Sequence, residues 1–274
     1  MKNTIHMLKS VTDTICNSFI ITTEDGKTIV IDGGFPSETD HFLSSLQEIT
    51  GAGIPHIDAW FLTHPHDDHV SVFFEVMEHH AEEITLDTVY LNFPSQSFVA
   101  KQDASAAQTM ADFYRLLPRF ADKMRILSGG DVLDIGAAHF HILYSHDFEI
   151  TANVCNNTSL VFRMELGGKS VMFTGDCGVE AGHKVLRLWK DSGLLQCDYC
   201  QMAHHGQNGC DRAFYEAVAP SACIWCTPTW LWNNDAGKGY NTHTWQTVVV
   251  RGWMDELGVK EHYVMKDGTQ AIHL

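Results

Sequence analysis

The chain has 274 residues, 45% of them hydrophobic, with 18 Lys and Arg against 34 Asp and Glu, a formal charge of −16. A chain of this size can bury a large core and fits one α/β domain or two small ones. Its acidic balance argues against a surface that tracks nucleic-acid phosphates and favours a small-molecule substrate. No stretch approaches the roughly 20 apolar residues of a membrane helix. Residues 1–6 lack the apolar region of a secretory signal, so a cytoplasmic protein without a membrane partner is expected.

In chain order, 15–22 and 27–31 read as a hairpin around Glu24-Asp25-Gly26, closing on Asp32-Gly33-Gly34. Residues 37–50 have helical spacing at Phe42, Leu43, Leu46 and Ile49, with Ser37 or Thr39 as the N-cap. The run 57–62 reads as a buried strand that stops abruptly at Thr63-His64-Pro65-His66-Asp67-Asp68-His69. Imidazole nitrogens and a hard carboxylate oxygen are the ligand mix of zinc, manganese or iron. His64 and His66 alternate off an extended turn and can chelate one ion. Asp68 and His69 come from the next turn and can face a second. A histidine-rich surface loop is the alternative in a chain with 17 histidines. It does not account for a buried strand before the cluster and an amphipathic segment (Val70, Phe73, Phe74, Val76, Met77) after it.

Further along, 86–91 reads as a strand and 104–123 as one helix with Met110, Phe113, Leu116, Leu117 and Phe120 on its apolar side. Strands follow at 124–127, 132–135 and 139–144, then 160–166 pairs with 169–174 through Gly167-Gly168. Residues 197–202 and 222–226 read as strands, and 240–257 as a helix with His243 at its start. Two Cys-x-x-Cys pairs, Cys197/Cys200 and Cys223/Cys226, fall in strands. Positions three apart on a strand face opposite sides, so reduced core thiols are expected rather than a zinc knot. The aromatic run from Trp225 to Trp232 reads as packing over the sheet end or a homo-oligomer contact, with an aromatic cage for a quaternary ammonium as the rival. With no linker or repeat, 1–274 reads as a single domain of two sheets between helix layers, an α/β fold of αββα type.

The pattern His-x-His-x-Asp-His at 64–69, the strand ending Thr174-Gly175-Asp176, and Ala203-His204-His205-Gly206 together resemble the metallo-β-lactamase superfamily. Asn156-Asn157-Thr158-Ser159-Leu160-Val161 and the His-His-Gly ending resemble one branch, which holds the hydrolase domain of competence-type DNA-uptake proteins and the phosphorylcholine esterases. The resemblance runs from Ile15 to Leu274. It implies a four-layer αββα metallo-β-lactamase-like sandwich with two divalent ions, zinc first and manganese or iron as alternatives.

By that resemblance Asp176 bridges the ions, and Asp32 either supports the site or simply caps a turn. His205 is expected to bind the second ion, leaving His204 to orient or handle a proton; the opposite assignment stays open. The wider family places a histidine just before the strand near Ser159, where this chain has Cys155-Asn156-Asn157. His146 could reach in there, or be a plain loop histidine; otherwise the first ion site is open. His243 could hold phosphate or protonate a leaving group beside the metals, or simply sit near a helix cap.

The implied chemistry is hydrolysis by a water shared between the ions, its pKa lowered toward neutrality, with Asp68, His204 and His243 as the catalytic set. A phosphodiester or phosphomonoester is the expected substrate. A lactone, thioester or amide hydrolase would use the same metals. A di-iron redox protein is a third reading, although that branch carries glutamate where this chain has His66. A metal-binding module is a fourth. No Ser/His/Asp or Cys/His nucleophile pattern and no Walker-type glycine loop is present.

Overall fold

A computed structural model describes residues 2–274. Six strands come first: β1 (Thr4–Met7), β2 (Ser18–Thr22), β3 (Thr28–Asp32), β4 (His56–Phe61), β5 (Thr85–Leu91) and β6 (Met124–Ile126). Seven follow: β7 (Val132–Ile135), β8 (Ala138–Tyr144), β9 (Val161–Leu166), β10 (Lys169–Phe173), β11 (Tyr199–Gln201), β12 (Ala222–Trp225) and β13 (Glu261–Val264). The last, β14 (Gln270–His273), returns to pair with β1. They form two seven-stranded sheets, ordered β14-β1-β2-β3-β4-β5-β6 and β13-β12-β11-β10-β9-β8-β7. Strands β3 to β6 are mutually parallel, as are β10 to β13, and the remaining pairs are antiparallel.

Side chains alternate across each strand and so divide the apolar residues among three cores. Phe19, Ile21, Ile29, Ile31 and Phe61 point between the sheets and meet Phe140, Phe162 and Phe173. Phe61 stacks within 5.0–5.1 Å of Tyr90, Phe140 and Phe162. Ile20, Val30 and Trp60 point the other way, under α1 (Thr39–Thr50), α2 (Asp67–His79), α3 (Gln96–Gln102) and α4 (Ala107–Leu116). On the far side Met172, Cys200, Cys223 and Trp225 lie under α5 (Val179–Trp189), α6 (Arg212–Val218) and α8 (Thr247–Glu256), with α7 (Thr229–Trp232) beside them. The result is the four-layer α/β sandwich expected. Among the described residues no helix is long and apolar enough to cross a membrane.

Several boundaries differ from the sequence reading. The single helix expected over 104–123 is instead a 3-10 turn Ala104–Ala106, α4 and a second 3-10 turn Leu117–Arg119, with α3 lying before it. Pro118 removes a donor there, while Met110, Phe113, Leu116 and Phe120 still bury as one face. Neither Ser37 nor Thr39 caps α1: Glu38 is the N-cap, and its carboxylate instead accepts from Ser10 Oγ and Val11 N. The C-terminal helix begins at Thr247, not near 240, because Asn234 ties down the preceding segment. Its carbonyl accepts from the Thr242 and His243 amides, and its side chain donates to Asn241 and to the His243 carbonyl.

Strands β1, β13 and β14 went unread because four residues carry too little alternation to register. All eight cysteines are free and buried. Cys223 and Cys226 face different cores, as strand geometry requires, but Cys197 and Cys200 share one, since Cys197 lies before β11 begins.

Candidate metal centre

The loops that follow β4, β10 and β11 leave the same end of their parallel strands, the end at which open α/β sheets gather their sites. After β4 the chain turns through Thr63, whose carbonyl accepts from Leu160 N of the other sheet. It then presents His64 and His66 before α2 starts. His66 is the N-cap of α2, with Asp67 and Asp68 in its first turn, where the helix dipole favours carboxylates. After β10, Gly175 adopts φ 52° and sits tightly against Ser159 and Thr63, where a Cβ would come within 3.1 Å of both. After β11 the chain enters a left-handed turn at His204 (φ 53°), His205 (φ 55°) and Gly206 (φ 77°). Such φ values are costly for histidine. The two rings therefore diverge because of this turn rather than by strand alternation.

These loops bring together two groups of ligand-competent atoms. Asp68, His69, Asp176 and His205 form one, and His64, His66 and Asp176 the other. Asp176 Oδ1 lies 3.2 Å from His69 Nε2, and Asp176 Oδ2 lies 3.5 Å from His205 Nε2 and 3.9 Å from His64 Nε2. His205 Nε2 is 2.9 Å from Asp68 Oδ2, and His64 Nε2 is 3.0 Å from His66 Nδ1. Outer nitrogens are held in turn. His69 Nδ1 is 2.7 Å from Asp32 Oδ2, and His205 Nδ1 is 3.0 Å from the Cys226 carbonyl. That leaves each Nε2 lone pair facing the cluster, the arrangement of a metal-binding histidine.

The donor set fits cations by a stricter test. His69 Nε2, Asp176 Oδ1 and Asn156 Oδ1 are buried and make no hydrogen bond, although buried polar atoms are almost always satisfied. Two buried carboxylates facing imidazole lone pairs call for positive charge between them.

Electrostatics point the same way. Burial opposes charge on His69, but the carboxylates of Asp176, Asp32 and Asp68 outweigh it and hold this imidazole well above its ordinary range. Burial likewise opposes charge on His205, yet Asp176 and Asp68 bring it up to about 9. Asp176 is held well below the usual carboxylate range, with His205, His69 and His204 overcoming its burial. Burial, then the neighbouring His69 and His66, push His64 well down, so it is neutral and available. Protons on His69 and His205 thus stand in for cations and must leave as ions bind. Zinc affinity is therefore expected to rise between pH 6.5 and about 9, by about tenfold per pH unit for each proton displaced. Titration against a competing chelator at several pH values checks this; a flat profile would contradict it.

Other candidates fall in different places. Asp32 is fully buried and takes hydrogen bonds from Thr63 N, Thr63 Oγ1, Asn17 Nδ2 and His69 Nδ1, so it supports the site directly. His204 stands at the rim, 20% exposed, with Nε2 3.8 Å from Asp176 Oδ2 and 3.5 Å from Asn156 Nδ2. His146 does not join either group. Its Nδ1 is 3.1 Å from the Asn92 carbonyl and its ring packs on Phe148. His243 is exposed in the segment before α8, stacked on Trp245 at 3.7 Å, and belongs to neither group.

In the aromatic run, Trp225 is fully buried, and the face of Trp232 carries the Arg251 guanidinium at 4.1 Å. That pair is packing, and its cation seat is already taken. Sequence reasoning missed Asp103, which lies with His66 and Cys155 in a further group of ligand-type atoms. No motif surrounds it. A trio of exposed His56 and Asp87 with the largely buried Asp58 sits at the opposite end of β4, with Lys27 already on Asp58 at 2.8 Å.

Comparison with known proteins agrees with this geometry. A family model described as the metallo-beta-lactamase superfamily matches residues 11–209. Over 178 residues the chain is 26% identical to ComE operon protein 3 of Bacillus subtilis (strain 168), which covers 64% of this chain and 20% of that protein. The chain thus spans about a fifth of that relative. CmlA, a diiron beta-hydroxylase from Streptomyces venezuelae, superposes with a TM-score of 0.63 at 12% identity, over 100% of this chain and 54% of that one. Unliganded yeast PDE1 superposes with a TM-score of 0.59 at 10% identity over 100% of both chains. With most of its length matched by the family model and the two-sheet sandwich in place, the chain belongs to the metallo-beta-lactamase superfamily.

Proposed function

We propose that this chain is a dinuclear metal-dependent hydrolase of a small phosphodiester or phosphomonoester. The observation that carries the reading is the pair of ligand groups sharing Asp176, with buried imidazole and carboxylate atoms that lack hydrogen bonds. Two divalent cations, zinc in the first instance, supply Lewis acidity there and a water acidic enough to ionise near pH 7. The chain's own residues do the rest. Asp32 and the Cys226 carbonyl keep His69 and His205 in one tautomer and one orientation.

His204 is placed to handle a proton. Its Nδ1 lies 3.3 Å from the Asn208 carbonyl, which directs Nε2 toward Asp176 and the rim. Burial lowers its pKa, so Nε2 is unprotonated at neutral pH and can take a proton and return it to a leaving oxygen. The charge of −16 supports a small substrate over a long polyanion, which the protein's own field would repel. The His-His-Gly turn and the 156–161 segment support the phosphoester class through the branch they resemble.

The test is hydrolysis of bis-p-nitrophenyl phosphate, p-nitrophenyl phosphorylcholine and a simple lactone, with zinc or manganese restored after chelation and metal content measured. Phosphoester turnover that vanishes on chelation is the expected result. Turnover of the lactone alone would keep the metal-dependent hydrolase and remove the phosphoester. No turnover by protein holding two tightly bound irons would favour redox chemistry.

A further inference from the structure

The two ring nitrogens of His66 have different surroundings. Nδ1 lies 3.0 Å from His64 Nε2, on the side shared with Asp176. Nε2, on the opposite edge of the ring, lies 3.7 Å from Asp103 Oδ2. A histidine that offers Nδ1 to a cation carries its proton on Nε2, and that proton needs an acceptor. The other three histidines of the two groups have one on their outer nitrogen. For His69 it is Asp32, for His205 the Cys226 carbonyl, and for His64 the Thr63 hydroxyl at 3.2 Å. His66 Nε2 is buried and makes no hydrogen bond, with the Asp103 carboxylate just beyond reach. Asp103 is the C-cap residue of α3, so one short helix sets where this carboxylate stands.

We infer that Asp103 is a positioning residue for the first ion site, its carboxylate accepting the Nε2 proton of His66 when an ion is held at Nδ1. Cys155 closes the arrangement from the other side. It is fully buried, and its Sγ lies within 4.8 Å of the ligand atoms of both His66 and Asp103. The charged acceptor fixes the tautomer and ring angle of His66 and raises the basicity of Nδ1, as outer carboxylates do for metal-bound histidines generally. Because α3 carries Asp103, retention of the first ion is tied to the seating of α3 through the buried Val99. The inference rests on reading His64, His66 and Asp176 as an ion site.

The experiment titrates the chelator-stripped protein with Zn²⁺ against a fluorescent chelator, alongside Co²⁺ absorption spectra. The wild type is expected to take two equivalents. D103A should keep one at wild-type affinity and lose about 10- to 100-fold on the other. In that variant the cobalt bands of one site alone should shift, and melting of the metal-free protein should be unchanged. D103N, which keeps an uncharged acceptor, should fall between, and Cys155→Ser should match the wild type. Two equivalents at unchanged affinity in D103A would overturn the inference. So would equal weakening of both sites together with a lower metal-free melting temperature, the mark of a merely structural role. A wild type that binds no zinc would instead defeat the ion-site reading itself.

Discussion

Asp176→Ala is expected to strip both ions from the protein and to lower phosphoester turnover by about 10³-fold or more. Among the described residues Asp176 is the side chain present in both ligand groups, with Oδ1 toward His69 and Oδ2 toward His205 and His64. Removing an outer partner of a metal ligand typically costs about 10- to 100-fold. A carboxylate common to both ligand groups would cost more. The fold should survive, because the residue lies on a loop after β10, outside the three apolar cores. The Asp32 and Asp68 carboxylates remain opposite His69 and His205 and balance their charge, so no buried charge is stranded. Elemental analysis, turnover and melting of the chelated protein check the three parts. A variant that keeps two zinc equivalents and wild-type turnover would sink the dinuclear reading.

Asp32→Ala should act chiefly on stability, at about 3–5 kcal/mol even without metal. Four donors converge on this fully buried carboxylate: Thr63 N at 2.8 Å, Thr63 Oγ1 at 2.7 Å, Asn17 Nδ2 at 2.8 Å and His69 Nδ1 at 2.7 Å. Each donor left unsatisfied costs about 1–3 kcal/mol, though not additively. Asp32 also sits at φ 53°, a left-handed conformation that aspartate and asparagine tolerate better than alanine. Asp32→Asn should therefore lose less. Zinc affinity should fall as well, since His69 loses the acceptor that fixes its tautomer. Denaturant titration of chelated protein measures the first effect and chelator competition the second. A loss below about 1 kcal/mol would show that the network does not hold this end of β3 in place.

Most of the sandwich was legible because long apolar runs bounded by glycine turns are strong local signals. The strand before His64, the turn at Gly167-Gly168 and the stripe of Met110, Phe113 and Leu116 all appear close to where their patterns put them. Errors collected where pattern is short or tertiary contacts dominate. The four-residue strands β1, β13 and β14 exist through their partners, with Thr4 set opposite His273 by pairing across almost the whole chain. The helix over 240–257 failed at its start because Asn234 takes the backbone donors that would have opened it. Asp32 stayed undecided in the sequence because a turn aspartate and a site aspartate look alike until the partners are known.

By itself the sequence determined which residues are ligand-competent and where they lie along the chain. His64, His66, Asp68 and His69 share one strand–turn–helix, so the local backbone alone brings them within reach of common ions. Asp176 and the His204-His205 pair follow strands whose ends are equally local. Only the tertiary structure decided which of these face one another, because that depends on how two sheets stack. Asp68 meets His205 across 137 positions and Asp32 meets His69 across 37. The same packing turned His146 toward the Asn92 carbonyl 54 residues away and brought the motif-free Asp103 beside His66. Spacing along the chain specifies donors, and sheet packing specifies what they surround.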